Sequence, residues 1–219
     1  MKFRAAIFDI DGLLLDTEDV HWKSWNYCLS DFGLGISYEK YPQYVGGNSH
    51  NIAAEIIFQN QLEGVTPDDL VNKRLSYAEK YFQENKLEIF GGVKEFLEFC
   101  QNYGIKTGAA SNGYGAETRI KLENNGLSDY FETVVSKDDV ICGKPAPDLY
   151  LAAARNLQVD PHECLAFEDT SVGLASAKAA GMFCCVVPNR YTKAQDFSSA
   201  DRVFGRIDQA VALLQRGLS

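Results

Sequence analysis

Beyond residue 90 the chain alternates short apolar runs with stretches whose hydrophobic residues recur at helical spacing, the pattern of a parallel sheet flanked by helices. Val93, Phe96, Leu97 and Cys100 lie on one helical stripe, Gly104 is placed to end it, and IKTGAAS follows as a strand. A helix is expected near Glu117 to Asn125, then the strand ETVVS, a helix from Asp148 to Leu157 and the strand CLAFED. SVGLASAKAAGM reads as an alanine-rich helix ending at Gly181, FCCVVP as a further strand, and Ile207 to Leu214 as a last amphipathic helix.

Residues 16–88 carry a different pattern, with long helical periodicities and no strand. Trp22, Trp25, Leu29 and Phe32 share one face, Ile52, Ile56 and Ile57 seed a second helix, and Leu75 to Phe82 a third. The strand AAIF before this block must then join the sheet that resumes past residue 90. The expected architecture is α/β: a Rossmann-like parallel core from residues 1–15 and 89–219, with a helical domain, 16–88, inserted over the carboxyl ends of its strands.

Composition narrows the partners. The 219 residues are 46% hydrophobic and 23% charged, enough for a substantial core. A formal net charge of -9 argues against nucleic acid or an anionic membrane as partner, while leaving room for a small anion held by local positive charge. The six cysteines show no metal or C-x-x-C spacing and read as small buried hydrophobes in a reducing compartment. Asp9 interrupts the first apolar run long before signal-peptide length, and no run reaches membrane-spanning length. A cytoplasmic protein, monomeric or weakly self-associating, is the expectation.

Polar groups terminate four of the expected strands: Asp9 and Asp11 after AAIF, Ser111 and Asn112 after IKTGAA, Lys144 beyond TVVS, and Glu168 and Asp169 after CLAF. In a parallel α/β sheet ligands bind at the carboxyl ends of strands, so these groups would share one crevice. Each piece alone is weak. An EF-hand loop would need an oxygen ligand at Leu13 and glycine at Leu14; Thr118 breaks a dinucleotide-type G-x-G-x-x-G; Pro145 and Asp138 break a Walker-type phosphate loop. Glu168 and Asp169 alone would pass for helix-capping acids.

Together they define chemistry. A carboxylate cluster calls for a cation, and hard oxygen ligands with room for phosphate oxygens suit Mg²⁺. One aspartate can attack phosphorus and form an aspartyl phosphate, Lys144, Ser111 and Asn112 can hold the phosphoryl oxygens, and the second aspartate can serve the leaving group as acid and then base.

In order and separation, FDIDG, SNG, GKPAPD and FEDTSVG resemble the four motifs of the haloacid dehalogenase superfamily, in its subfamily with a helical cap after the first strand. The resemblance covers nearly the whole chain. It implies Asp9 as nucleophile, Asp11 as general acid/base, Ser111 and Lys144 as the phosphoryl-binding pair, and Mg²⁺ held by Asp9, the Asp11 backbone carbonyl, Asp169 and Glu168. Gly12 and Asn112 are expected beside the substrate. DTEDVHWKSW resembles the hinge and first cap helix of the phosphosugar phosphatases and β-phosphoglucomutases, placing His21 either at the substrate or on the helix surface near the hinge, and Trp25 in cap packing.

The cap segment YVGGNSHNI matches the mutase cap loop by its glycine, and the arginine that would grip a second phosphate there falls near Ser49 and is missing. Lys73 and Arg74 sit on a helix charged on several faces, where solvated positions are expected. Hydrolysis of a small phosphorylated sugar or related metabolite is therefore favoured over mutase action. A phospho-accepting receiver domain gathers similar groups, but the insertion and the second acidic pair have no place in it. An inactive ligand-binding relative would not need all four motifs.

Overall fold

The computed structural model describes residues 3–215; residues 1–2 and 216–219, counted in the expected core, lie outside the described residues. Six parallel strands, β1 (Ala5–Phe8), β2 (Lys106–Ala110), β3 (Thr133–Val135), β4 (Cys164–Glu168), β5 (Phe183–Val186) and β6 (Arg202–Val203), form one sheet in the order β3-β2-β1-β4-β5-β6. Helices α1 (Glu18–Leu29), α2 (Ser49–Asn60) and α3 (Pro67–Glu84) fall between β1 and β2, followed by α4 (Val93–Asn102), α5 (Gly115–Asn124), α6 (Asp148–Leu157), α7 (Ser171–Ala179) and α8 (Val211–Gln215). The two-residue edge strand β6 was absent from the sequence reading, being too short to show alternation.

Strand β1 explains its own centrality. Its four residues are fully buried, and the period-two geometry sends Ala6 and Phe8 to one face, Ala5 and Ile7 to the other. Phe8 stacks on Phe167 of β4, and Phe96 of α4 meets both ring edges. On the opposite face Ile7 and Ala166 pack with Leu149 and Tyr150 of α6 and Leu174 of α7. The chain runs from β1 to β2 on one side and returns to β4 on the other, so the order reverses beside β1, where a crevice opens at the strand ends.

The helical insertion leaves and rejoins the sheet through one narrow crossing. Leu15 pairs antiparallel with Ile89, Asp16 N donates to Glu88 O at 2.9 Å, and Phe90 N to Leu14 O at 3.0 Å. Leu13, Leu14 and Leu15 are all buried in the main core. The insertion has its own apolar centre, with Trp25, Cys28 and Leu29 of α1 against Ile52 and Ile56 of α2 and Leu70 and Val71 of α3. Helix α3 begins at a capping box between Thr66 and Asp69 with Pro67 in the first turn, eight residues before the expected start at Leu75. Phe32 departs from the expected stripe, since α1 ends at Leu29 and the following 3₁₀ turn leaves Phe32 exposed.

Apolar packing and an ion pair are among the contacts that tie insertion to sheet. Val20, Ala78 and Phe82 pack against Ile120 of α5, and the loop after β5 sends Tyr191 into the insertion's apolar centre while Arg190 pairs with Asp16 at 2.7 Å. Five cysteines are buried as expected; Cys142 is exposed. Among the described residues no helix is long and apolar enough to cross a membrane.

Candidate active site

The four strand ends converge on one cavity of about 260 Å³, lined among others by Asp9, Asp11, Ser111, Asn112, Lys144 and Asp169 from the sheet side and by His21, Ser49 and Arg74 from the insertion. Asp9 follows β1 directly. Lys144 reaches it across the crevice, donating to Asp9 Oδ1 and, at 2.6 Å, to Glu168 Oε1, with only 4% of its side chain exposed. Tyr150 of α6 donates to the same Glu168 oxygen at 2.5 Å.

Asp9, Glu168 and Asp169 present carboxylate oxygens within 4.8 Å of one another, all buried. One lysine cannot balance three such acids. Burial pushes Asp9 up to about 7 despite the opposing pull of Lys144, and burial together with Asp9 and Glu168 raises Asp169 well above the ordinary range. Asp169 Oδ1 is buried without a hydrogen-bond partner, while its Oδ2 accepts from Asn189 at 2.8 Å. An orphaned buried carboxylate oxygen beside two further carboxylates fits a hard divalent cation such as Mg²⁺.

Glycines let these acids approach. A Cβ on Gly12 would lie 2.5 Å from Asp169 Oδ2, and Gly12 holds φ +78°, a conformation natural to glycine. Gly12 is buried beside the carboxylates and is not among the residues that line the cavity. Asn112 lines the cavity, and its Oδ1 accepts the Lys144 backbone N–H at 2.8 Å, so the amide also fixes the lysine loop. The capping explanation for Glu168 and Asp169 fails, because Thr170 is the N-cap of α7 and accepts from Gly173 N.

Asp11 faces away from the three clustered carboxylates. Lys121 of α5 donates to both its oxygens at 2.6 and 2.8 Å, and to Glu117 at 3.0 Å, with no exposure of the lysine side chain. Burial alone would raise Asp11, but Lys121 and His21 together hold it well below the usual carboxylate range. Ser111 Oγ lies 3.4 Å from Asp11 Oδ2 and accepts from Gly113 N at 3.0 Å. His21 stands at the site and not on the helix surface, its Nε2 3.5 Å from Asp11 and its Nδ1 3.0 Å from the Arg74 guanidinium.

Sequence reading missed Lys121, Glu117 and Asn189 and misplaced Arg74. Lys73 is on the outside as expected, paired with Asp31, but Arg74 is buried, over the ring of Trp25 and 3.5 Å from Ser49 Oγ. The one available signal for Lys121 was its position: Thr118, Lys121, Leu122 and Asn125 form the buried stripe of α5 at helical spacing.

A parallel α/β core with its acids at the reversal of strand order, roofed by helices inserted after β1, defines a class of cap-bearing enzymes. Residues 6–187 match the family of haloacid dehalogenase-like hydrolases, and the chain belongs to it. Among curated relatives, the fructose-1-phosphate phosphatase YqaB of Escherichia coli is 33% identical, over 83% of this chain and 94% of its own. The phosphorylated carbohydrates phosphatase of Thermotoga maritima is 31% identical, over 81% and 82%. Among solved structures, β-phosphoglucomutase from Clostridium difficile superposes with a TM-score of 0.83 at 24% identity, over 99% and 97%, a likeness of fold.

Proposed function

We propose that the protein is a Mg²⁺-dependent phosphatase that hydrolyses a small phosphorylated sugar through a phosphoaspartate on Asp9. The observation that carries this reading is the contact of Lys144 with both Asp9 and Glu168 at the mouth of β1, opposite the orphaned oxygen of Asp169. Lys144 neutralises the nucleophile and the incoming phosphoryl oxygens, and Ser111 Oγ offers a donor on the other side. Asp9, Asp169, Glu168 and the Asp11 carbonyl would hold the ion, which when bound supplies charge neutralisation between carboxylate and phosphoryl group.

In the first step an Asp9 oxygen bonds to phosphorus as the ester P–O bond breaks, and Asp11 gives its proton to the departing sugar oxygen. In the second, water attacks the phosphoaspartate, Asp11 takes the water's proton, and phosphate leaves with Asp9 restored as carboxylate. Lys121 holds Asp11 ionised, which suits the second step; an incoming phosphate dianion opposes that effect and favours the protonated acid needed in the first. The protein thus acts on a small anionic metabolite, with the insertion as cap over the core.

Relatives named as sugar phosphatases at 33% and 31% identity support hydrolysis. One observation favours the alternative of a phosphosugar mutase: the cation missing at Ser49 in the sequence is supplied in space by Arg74. Incubation with Mg²⁺ and a panel of sugar phosphates that includes fructose 1-phosphate and β-glucose 1-phosphate separates the two. Stoichiometric release of phosphate supports hydrolysis; isomerised hexose phosphate without phosphate release overturns it.

A further inference from the structure

Asn189, in the loop after β5, spends both protons of its side-chain amide behind the carboxylate cluster. Its Nδ2 donates to Gly12 O at 2.9 Å and to Asp169 Oδ2 at 2.8 Å. The amide's orientation is fixed by its other end, since Oδ1 accepts from Tyr191 N at 2.8 Å and from Thr192 N at 3.3 Å. Among the described residues no other donor reaches the Asp169 carboxylate, and Lys144 is spent on Asp9 and Glu168. Asp169 is 1% exposed, and its Oδ1 has no partner at all. Pinning one oxygen of a carboxylate stops its rotation, so the direction of the free oxygen is set by Asn189.

The loop that carries this amide is itself held on several sides. Thr192 Oγ1 accepts from Asn189 N at 3.0 Å, and Gln195 accepts from Ser171 N at 2.7 Å while donating to Val45 O of the cap at 3.3 Å. Tyr191 is buried in the cap's apolar centre, and Arg190 pairs with Asp16 at 2.7 Å and Asp19 at 3.1 Å. None of these contacts touches the carboxylates, and Asn189 is not among the residues that line the cavity, so its reach toward the chemistry runs through Asp169 and Gly12. Carboxylates that ligate metals are held by such outer hydrogen bonds, whose loss weakens the metal. We infer that Asn189 is a positioning residue for the metal site: its amide aligns both the Asp169 carboxylate and the turn at Gly12 that follows the Asp11 carbonyl, two of the donors expected around Mg²⁺. This inference rests on the reading of the carboxylates as a Mg²⁺ site and adds to it the residue that aims them.

The test reads metal binding without turnover. Isothermal titration calorimetry with Mg²⁺ on the full-length protein at pH 8 compares wild type, Asn189→Ser and Arg190→Met. Serine keeps a hydroxyl to accept from the loop N–H groups but is too short to reach Asp169. Arg190→Met removes the ion pairs to Asp16 and Asp19 from the same loop and leaves the Asn189 amide in place. Mg²⁺ should bind about ten- to hundredfold more weakly to Asn189→Ser. It should bind Arg190→Met within about threefold of wild type, and the rise in thermal midpoint on adding Mg²⁺ should follow the same order. Unchanged affinity in Asn189→Ser, or an equal loss in both variants, which marks a general loosening of the loop, overturns the inference. Nuclear magnetic resonance of the wild-type protein gives a reading that needs no variant: the Asn189 side-chain amide signals should shift on Mg²⁺ addition, and unmoved signals overturn the inference. Wild-type protein that binds no Mg²⁺ is a distinct result, which overturns the metal reading and the inference with it.

Discussion

Lys121 donates to both carboxylate oxygens of Asp11, at 2.6 and 2.8 Å, and so binds the acid that follows β1 to the inner face of α5. The same ammonium reaches Glu117 at 3.0 Å and lies over the ring of Phe82 from the cap. One buried lysine thus sets the charge of two acids at the seam between the sheet and its insertion.

Replacing Lys121 by Met takes the ammonium from both acids, leaving Asp11 only His21 and Ser111, and breaking such a buried pair typically costs about 3–5 kcal/mol. Urea unfolding at pH 7 should show a loss of that order, partly recovered in Glu117→Gln/Lys121→Met. The lysine holds both carboxyl groups below their ordinary range despite burial. Stability from depressed carboxylates is present above the unfolded-state value of about 4 and lost as pH falls through the folded-state value. The difference between wild type and variant should therefore narrow in acid; a gap that widens would contradict the pairing.

Asp9 and Asp169 carry the opposite sign. Burial raises both, Asp9 to about 7, so without metal the folded protein binds more protons than the unfolded chain between about pH 4 and 7. Metal-free protein should gain stability as pH falls from 8 toward 5. Mg²⁺ competes with those protons, so its stabilising effect, read as the shift in thermal midpoint with and without chelator, should be large at pH 8 and shrink by pH 5. A shift independent of pH would argue against the carboxylate cluster as the metal site.

Gly173→Ala should damage the site from behind. Its Cβ would fall 2.0 Å from the Glu168 carboxylate, in the first turn of a helix that cannot easily retreat. Overpacking of this kind costs about 1–3 kcal/mol. The variant should lose stability of that order in urea, and turnover should fall with it as Glu168 is pushed from Lys144. Wild-type stability and kinetics would show that Glu168 has another place to go.

Much of this was legible from one-dimensional patterns. AAIF, KTGAA and CLAFE are apolar runs ended by polar residues, and a parallel sheet buries such strands on both faces, so their ends announced Asp9, Asp11, Ser111, Glu168 and Asp169. Arg74 and Lys121 were hidden for a common physical reason. Each lies on a helix rich in charge, and Glu117 and Lys121 have the i, i+4 spacing of an ordinary surface pair. Only the packing of α3 against α5 and over the strand ends turns those faces inward. Asn189 lies in a loop without periodicity, and its tie to Gly12 O and Asp169 exists only in space.

The central claim is that Asp9 is the nucleophile, and the most direct measurement is steady-state phosphate release by Asp9→Asn with Mg²⁺, beside wild type on the best sugar phosphate. Removing an attacking group typically costs at least about a thousandfold in kcat. The predicted result is a loss of that size in a protein whose circular dichroism and cooperative unfolding match wild type. Turnover within about tenfold of wild type in that folded variant would contradict covalent catalysis at Asp9.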